Sequence, residues 1–442
     1  LARLFGTDGV RGIANVDLTA EFAFKLGQAG ARVLGKHKGG VFIIGKDTRI
    51  SGDMLESALA AGICSVGGNV LGLGIVPTPA VAYLTKACNA QGGIVISASH
   101  NPAEYNGIKF FGPDGFKLSD DKEDEIEGEM NKPVKLATGG NIGTVAVNHK
   151  AVDYYVDHAI NSILTDLDGF NVAIDCGHGA AYKLSPQIFR SLGARVMAVN
   201  TKPNGININL GCGSTHIDYI QEIVTTHDVA VGFAHDGDAD RVIAIDENGE
   251  VVDGDYIMAI CASHFKKIGR LPENAIVSTV MANLGFDIAM KEQEIDVIKT
   301  KVGDRYVIEE MLRSNISVGG EQSGHIIFLE HVTTGDGIIT ALQLASVIKD
   351  TGKKLSELKK IMKKLPQVLV NVEVGNTNGW QDIPVIKDAV IKAETDLGDN
   401  GRILVRSSGT EPLIRVMVES DTGEKANDIA IGVANVIKSE LG

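Results

Sequence analysis

The sequence predicts an α/β protein: three related α/β domains followed by a smaller C-terminal α+β domain. Three observations predict it. The chain has 442 residues, more than one ordinary core holds, which implies three or four domains. One pattern occurs three times: an apolar strand, a glycine-bearing or polar loop, a helix, then a second apolar strand. Near Pro366 the pattern breaks, and the order becomes strand, helix, strand, strand, helix.

The first copy begins at Val41-Phe42-Ile43-Ile44, runs through Gly45-Lys46-Asp47-Thr48-Arg49 and predicts a helix over 53–66. The second begins at Asn171-Val172-Ala173-Ile174-Asp175, with Cys176-Gly177-His178-Gly179 and a helix over 183–192. The third begins at Ala275-Ile276-Val277-Ser278-Thr279, with Met281-Ala282-Asn283 and a helix over 286–292. The lysine-rich stretch 353–364 reads as a linking helix, and the last helix as 424–441. The expected domains are 1–150, 151–250, 251–365 and 366–442, with the Gly139-Gly140-Asn141 and Asn248-Gly249 turns as inner joints.

Composition excludes several function classes. A net charge of −14 argues against nucleic acid as a general partner. No apolar run approaches the roughly 18 residues of a membrane span, and Leu1 to Gly6 carries no signal-peptide core. Five scattered cysteines without CxxC spacing (Cys64, Cys88, Cys176, Cys212, Cys261) point to a reducing cytoplasm rather than a zinc site. Gly30 to Lys36 has P-loop spacing but is followed by His37. Gly40 to Lys46 is followed by Asp47, so neither wraps a phosphate as a P-loop does. Gly177-His178-Gly179 and Gly211-Cys212-Gly213 lack the third glycine of a dinucleotide fingerprint, so neither ATP nor NAD is expected.

Four loops carry the chemistry. The strand Gly93-Ile94-Val95-Ile96 feeds Ser97-Ala98-Ser99-His100-Asn101-Pro102, and Asn106-Gly107-Ile108-Lys109 follows. A hydroxyl fixed at a strand end serves as nucleophile or phosphate carrier; alone, the segment equally reads as a polar turn. His235-Asp236-Gly237-Asp238-Ala239-Asp240-Arg241 sets three carboxylates at alternate positions, a donor set for a hard cation, here magnesium. A calcium-loop reading would put Glu247 at position 12. It fails because Arg241 stands where the turn needs glycine, and because Val229 to Phe233 and Val242 to Ile245 read as strands. Gly319-Gly320-Glu321-Gln322-Ser323-Gly324-His325 offers Glu321, Ser323 and His325 to sugar hydroxyls. Arg406-Ser407-Ser408-Gly409-Thr410-Glu411-Pro412, with Arg415 beyond, has the ingredients of a phosphate nest, and also of a plain hairpin turn.

Together, and in this order along the whole chain, these loops resemble the α-D-phosphohexomutase superfamily. Phe5-Gly6-Thr7-Asp8-Gly9-Val10-Arg11-Gly12 resembles its N-terminal signature. The resemblance implies four domains around a central cleft. It makes Ser99 a phosphoserine, and Asp236, Asp238 and Asp240 the ligands of Mg2+, which also meets Ser99 through its phosphate. It makes 320–325 the sugar-binding loop, and Arg406, Ser408, Gly409, Thr410 and Arg415 the phosphate-binding group. Gln322 and Gly211 to His216 resemble the branch acting on glucosamine phosphates.

The implied reaction interconverts glucosamine 6-phosphate and glucosamine 1-phosphate through a 1,6-bisphosphate, with glucosamine or glucose 1,6-bisphosphate as intermediate or activator. It would supply amino sugars for cell-wall precursors in the cytoplasm. The partner is a phosphosugar, with no nucleic acid or membrane, and a homodimer is compatible with the class. Lys109, Arg241, Arg11 and Arg49 are the cations expected near the transferring phosphoryl group. His100 and Lys109 are both open to proton transfer or to charge balance. Three alternatives stand beside this reading: a phosphomannomutase/phosphoglucomutase with the same mechanism, a phosphatase with an aspartate nucleophile, and a non-catalytic phosphosugar sensor.

Overall fold

The computed structural model describes residues 3–6, 8–35, 39–377, 379–407 and 412–442. The chain divides into two compact units, Leu1–Met281 with Glu294–Ile361, and Ala282–Gln293 with Met362–Gly442.

Three sheets belong to the first unit. Sheet I holds β1 (Val10–Ile13), β2 (Val41–Lys46), β3 (Asn69–Ile75), β4 (Gly92–Ile96), β5 (Tyr105–Phe111) and β6 (Val145–Val147), in the order β1-β5-β4-β2-β3-β6. Strand β2 runs parallel to β3 and β4, while β5 runs antiparallel to β4 and β1. Phe42, Ile43 and Ile44 are all buried, the unbroken apolar run of a strand covered on both faces. Sheet II holds β7 (Asn171–Asp175), β8 (Arg195–Val199), β9 (Val231–His235), β10 (Val242–Asp246) and β11 (Val251–Val252), in the order β11-β10-β9-β7-β8. Sheet III holds β12 (Ala275–Thr279), β13 (Asp296–Thr300), β14 (Val318–Gly320) and β15 (Ile326–Phe328), in the order β13-β12-β14-β15. In each repeat the two strands flanking the helix pair in parallel, as the repeated pattern requires.

The second unit carries an antiparallel sheet of β16 (Gln367–Glu373), β17 (Arg402–Ser407) and β18 (Leu413–Glu419), in the order β16-β18-β17. Val372, Ile414, Val416 and Val418 meet Ala430, Val433 and Ile437 of the terminal helix Gly423–Leu441 in its core. The third repeat's helix, Leu284–Glu292, also belongs to this unit. Its cap residue Asn283 bonds the Leu365 carbonyl at 3.0 Å and Glu419 at 3.2 Å.

One local expectation changes. The lysine-rich stretch is not one helix. Gly352 ends the preceding helix in a left-handed cap, and only Leu355–Leu358 and a 3-10 turn at Lys359–Ile361 follow. Repulsion among Lys353, Lys354, Lys359 and Lys360, with Glu357 as the one interspersed acid, disfavours a longer helix. The Asn248-Gly249 turn is the hairpin joining β10 to β11, and sheet II runs on to Val252. Among the described residues no helix is long and apolar enough to cross a membrane.

Helices Ala20–Leu34 and Gly52–Ser65 touch backbone to backbone. A Cβ at Gly62 would sit 2.1 Å from the Phe24 carbonyl oxygen. Gly62→Ala is therefore expected to lower stability by about 1–3 kcal/mol. Gly432→Ala, on an open helix face with nothing within 4 Å, is expected to raise it by about 0.5–1 kcal/mol. Urea-unfolding midpoints of the two variants check both signs.

Candidate active site

Ser99 follows the C-terminal end of β4 and is buried, with φ at +52°. A serine in the left-handed region costs about 1–3 kcal/mol and persists only where its surroundings hold it. Here they do. The Ser99 N–H donates to Ser97 Oγ at 2.9 Å, and Ser97 Oγ donates to Asp47 at 2.6 Å. Asp47 pairs with Arg49 at 2.8 Å, both fully buried. The Arg49 guanidinium then spans the loop, donating to the carbonyls of Ser99 (3.0 Å), Asn101 (2.8 Å), Tyr105 (2.9 Å) and Pro102. Asn209 from beyond β8 binds the Ser99 carbonyl at 2.9 Å. Arg49 was expected beside the transferring group; instead its donors are spent on Asp47 and the loop backbone. It builds the loop and is not turned to a ligand.

The acidic loop is the hairpin between β9 and β10. Asp236, Asp238 and Asp240 are all buried, and one oxygen from each lies within 4.8 Å of the others. Ser99 Oγ donates to Asp236 Oδ2 at 2.6 Å, joining two loops that are far apart in sequence. Gly237 permits this approach, since a Cβ there would meet the Ser99 carbonyl oxygen at 2.5 Å. Asp238 Oδ2 accepts from Thr78 Oγ1 at 2.6 Å and from Lys109 Nζ at 2.9 Å. Asp238 Oδ1 and Asp240 Oδ1 are buried and accept no hydrogen bond among the described residues. Two buried oxygens without donors, in an all-carboxylate set, fit a hard divalent cation.

The environment splits the triad. Burial, with Asp240 and Asp238 beside it, pushes the Asp236 carboxyl well up. Burial works the same way on Asp240, but Lys109 and His325 hold it well below the usual range. Lys109 is buried too, yet Asp238, Asp8 and Asp240 keep its ammonium firmly charged. It donates a hydrogen bond to Asp238 and balances the charge of the triad. His100 is the opposite case: burial, then Arg241 and Arg11, lower its proton affinity. Its Nδ1 faces Ser99 Oγ at 3.2 Å and Arg241 Nη1 at 3.4 Å. Because a guanidinium only donates, that nitrogen holds the lone pair.

A cavity of about 330 Å³ opens beside the triad, lined in part by Asp8, Arg11, Arg241, Asp304, Glu321 and His325. Ser323 also lines it, so Glu321, Ser323 and His325 come together with Arg11 and Arg241 as expected. Gln322 does not line it; its side chain turns away to Asp255 at 3.2 Å. His325 Nδ1 lies 3.6 Å from Asp240, and its Nε2 accepts from the Gly335 N–H at 3.0 Å. Burial opposes a charge on this ring while Asp240 and Asp304 favour one. The Gly335 N–H nevertheless requires a lone pair on Nε2, so we take the neutral ring with its proton on Nδ1.

In the second unit Arg406 and Arg415 stand directly opposite each other in the β17–β18 pair. Burial, then Arg415, lowers the Arg406 guanidinium. Like charges facing across strands disfavour pairing, a cost that a bound anion would relieve. Ser408, Gly409 and Thr410, and Thr7 of the N-terminal signature, lie outside the described residues.

Sequence reasoning missed Asp8, Lys117, Asp304, Asn209 and Gly335. Asp8 sat inside a quoted motif without an assigned role. The others carry no local signal, since each acts on a residue remote in the chain or through its backbone.

The chain matches four family descriptions of the phosphoglucomutase/phosphomannomutase type. These are alpha/beta/alpha domain I at residues 2–136, domain II at 153–249, domain III at 253–365 and the C-terminal domain at 369–436. A protein of Clostridium botulinum named phosphoglucosamine mutase is 54% identical over 452 aligned residues that cover all of both chains. A phosphoglucomutase/phosphomannomutase family protein from Burkholderia thailandensis shares the fold at a TM-score of 0.83 and 22% identity, covering 99% of this chain and 97% of that one. Aspergillus fumigatus N-acetylphosphoglucosamine mutase, solved in complex with GlcNAc-6P and magnesium, shares it at 0.70 and 18% identity, covering 99% and 95%.

Arg49→Lys keeps the charge but cannot reach four carbonyls and Asp47 together. It is expected to cost about 2–4 kcal/mol of stability, measured as a shift in the urea midpoint.

Proposed function

The chain belongs to the phosphoglucomutase/phosphomannomutase family, and from that premise we propose that it interconverts glucosamine 6-phosphate and glucosamine 1-phosphate. Full-length likeness to the Clostridium botulinum protein supports the substrate. The observation that carries the chemistry is the Ser99 hydroxyl, held 2.6 Å from Asp236 at the edge of a carboxylate triad whose Asp240 lines a cavity together with Arg11 and Arg241.

In this reading Ser99 carries a phosphoryl group. The group passes to the free 1-hydroxyl of glucosamine 6-phosphate, breaking the Ser99 O–P bond and forming glucosamine 1,6-bisphosphate. The bisphosphate turns over in the site, and its 6-phosphoryl group returns to Ser99, leaving glucosamine 1-phosphate. Glucosamine or glucose 1,6-bisphosphate would also prime an unphosphorylated Ser99. Arg11, Lys109 and Arg241 neutralise the phosphoryl oxygens in flight. His100, neutral and 3.2 Å from Ser99 Oγ, is placed to take or return a proton. Lys109, held charged, stabilises rather than accepts.

Glu321, Ser323 and His325 hold the sugar. Arg406, Ser408, Gly409, Thr410 and Arg415 take the distant phosphate. Asp236, Asp238 and Asp240 would hold Mg2+, which supplies Lewis-acid stabilisation of the developing charge. The protein would work in the cytoplasm, as a homodimer, on the divisions 1–150, 151–250, 251–365 and 366–442.

The test is kcat/KM for glucosamine, glucose and mannose 6-phosphates with magnesium and a trace of 1,6-bisphosphate. A preference for glucosamine 6-phosphate of about tenfold or more is expected; equal or better use of glucose or mannose phosphate would overturn the substrate while sparing the mechanism. Ser99→Ala should show no turnover and no covalent phosphate by mass spectrometry. Magnesium at a hundred times its Kd should stabilise the protein by about 2.7 kcal/mol over protein in EDTA. Asp236→Asn should lose most of that gain, yet melt higher than wild type in EDTA, because one of three crowded carboxylates is gone.

A further inference from the structure

Six ionisable side chains from five separate segments close into a ring, and four of them, Asp8, Asp240, Asp304 and His325, line the cavity. Lys109 lies 3.0 Å from Asp8 and 3.7 Å from Asp240. Asp240 lies 3.6 Å from His325, and His325 lies 3.6 Å from Asp304. Lys117 closes the ring, bonded to Asp304 and to Asp8 at 2.5 Å. The five charged members alternate in sign from Asp304 through Lys117, Asp8 and Lys109 to Asp240, and the neutral His325 ring lies between the two end carboxylates. Of the six, Asp8, Asp304 and Lys117 have no part in the reaction described above, and Lys117 is the one that joins the other two.

Its placement is specific. Lys117 pairs by a backbone bridge with Phe111, so its root is fixed to the end of β5 in sheet I. Burial works against its charge, but Asp304 and Asp8 hold its ammonium strongly protonated. Asp304 opens the helix Asp304–Ser314 behind sheet III, 187 residues away in sequence. The next residue, Arg305, reaches back across the same seam to the Leu118 carbonyl at 2.8 Å, to Glu123 at 2.9 Å and to Asp120. Neighbouring residues of opposite charge thus grip neighbouring partners of opposite charge. A slip of one residue would set Asp304 against acids and Arg305 against Lys117, so this two-way clasp fixes the register of the seam.

The geometry points to Lys117 as a positioning residue: it clamps Asp8 to Asp304 and so sets the distance between Arg11 on the phosphoserine side and Glu321 and His325 on the sugar side. The inference rests on the mutase reading of this cavity. Without the Lys117 charge, Asp304 loses its ammonium partner and repels Asp8, pushing this wall outward, while Lys109 still holds Asp8 and Asp240. An anionic substrate must then draw the wall together on binding, which weakens binding more than it slows the bound complex.

The experiment measures kcat and KM for glucosamine 6-phosphate in wild type, Lys117→Met, Lys117→Arg and the double variant Lys117→Met/Asp304→Asn. Lys117→Met should raise KM about tenfold or more with a smaller fall in kcat. Lys117→Arg should stay within about threefold of wild type in KM. The double variant should regain most of the lost KM, because removing the Asp304 charge removes the repulsion.

Lys117→Met with wild-type KM, even at reduced stability or reduced active fraction, would overturn the inference, as would a double variant worse than the single. If wild type turns over no glucosamine phosphate, the mutase reading fails separately. The clasp is then judged by urea unfolding of the same variants: non-additive effects of Lys117→Met and Asp304→Asn support it, and additive effects overturn it.

Discussion

Three carboxylates side by side on a buried loop are the constraint around which the first unit is arranged. A buried charge without a partner costs several kcal/mol, so Asp236, Asp238 and Asp240 oblige other segments to come to them. Lys109 arrives from β5, Thr78 from the start of the β3–β4 crossover, and His325 from sheet III. Lys109 in turn recruits Asp8. Sheets that share no hydrogen-bonded strand are thereby tied together at their charged ends. The same residue type then behaves in opposite ways, Asp236 pushed up and Asp240 held down, because only one of them faces the lysine and the histidine.

Backbone architecture prepares this meeting. Ser99 follows β4, Asp236 follows β9 and Glu321 follows β14, each at the carboxyl end of a strand. In open α/β sheets these ends are where loops are free to carry chemistry. Glycines then let the loops approach at backbone distance: Gly237 against Ser99, and Gly324 against Val242, where a Cβ would lie 2.1 Å from a carbonyl oxygen. The sugar loop therefore rests on the first residue after the acidic loop, and both are held by main chain rather than by adaptable side chains.

Much of this was legible in the sequence because the signals are local. The apolar runs beside the acidic loop excluded helices, and the structure has strands there. The strand-helix-strand repeats have the expected spacing, with helix ends shifted by one or two residues where caps such as Asn283 decide them. What was not legible is pairing at a distance. Arg49 reads as a cation available to phosphate; only the fold shows its five donors committed to Asp47 and loop carbonyls. Gln322 reads as the mark of the glucosamine branch, and only the fold shows its side chain turned to Asp255 rather than into the cavity. Lys117 and Asp304 carry no motif, and their meeting depends on where two sheets come together. Gly62 looks like any helix glycine until the Phe24 carbonyl is placed over it.

Leu284–Glu292 lies in sequence between two neighbouring strands of sheet III, yet its cap is completed by Leu365 and Glu419. Asn283 leaves the ribosome 136 residues before Glu419 does. For all that interval the helix start lacks the carboxylate that receives the Leu284 and Asn283 donors. A nascent chain can complete sheets I and II while this segment waits, but the third repeat cannot finish until the last strand has been made. The order of synthesis and the order of assembly therefore part company at this one helix, and no single cut in the chain separates the second unit from the first.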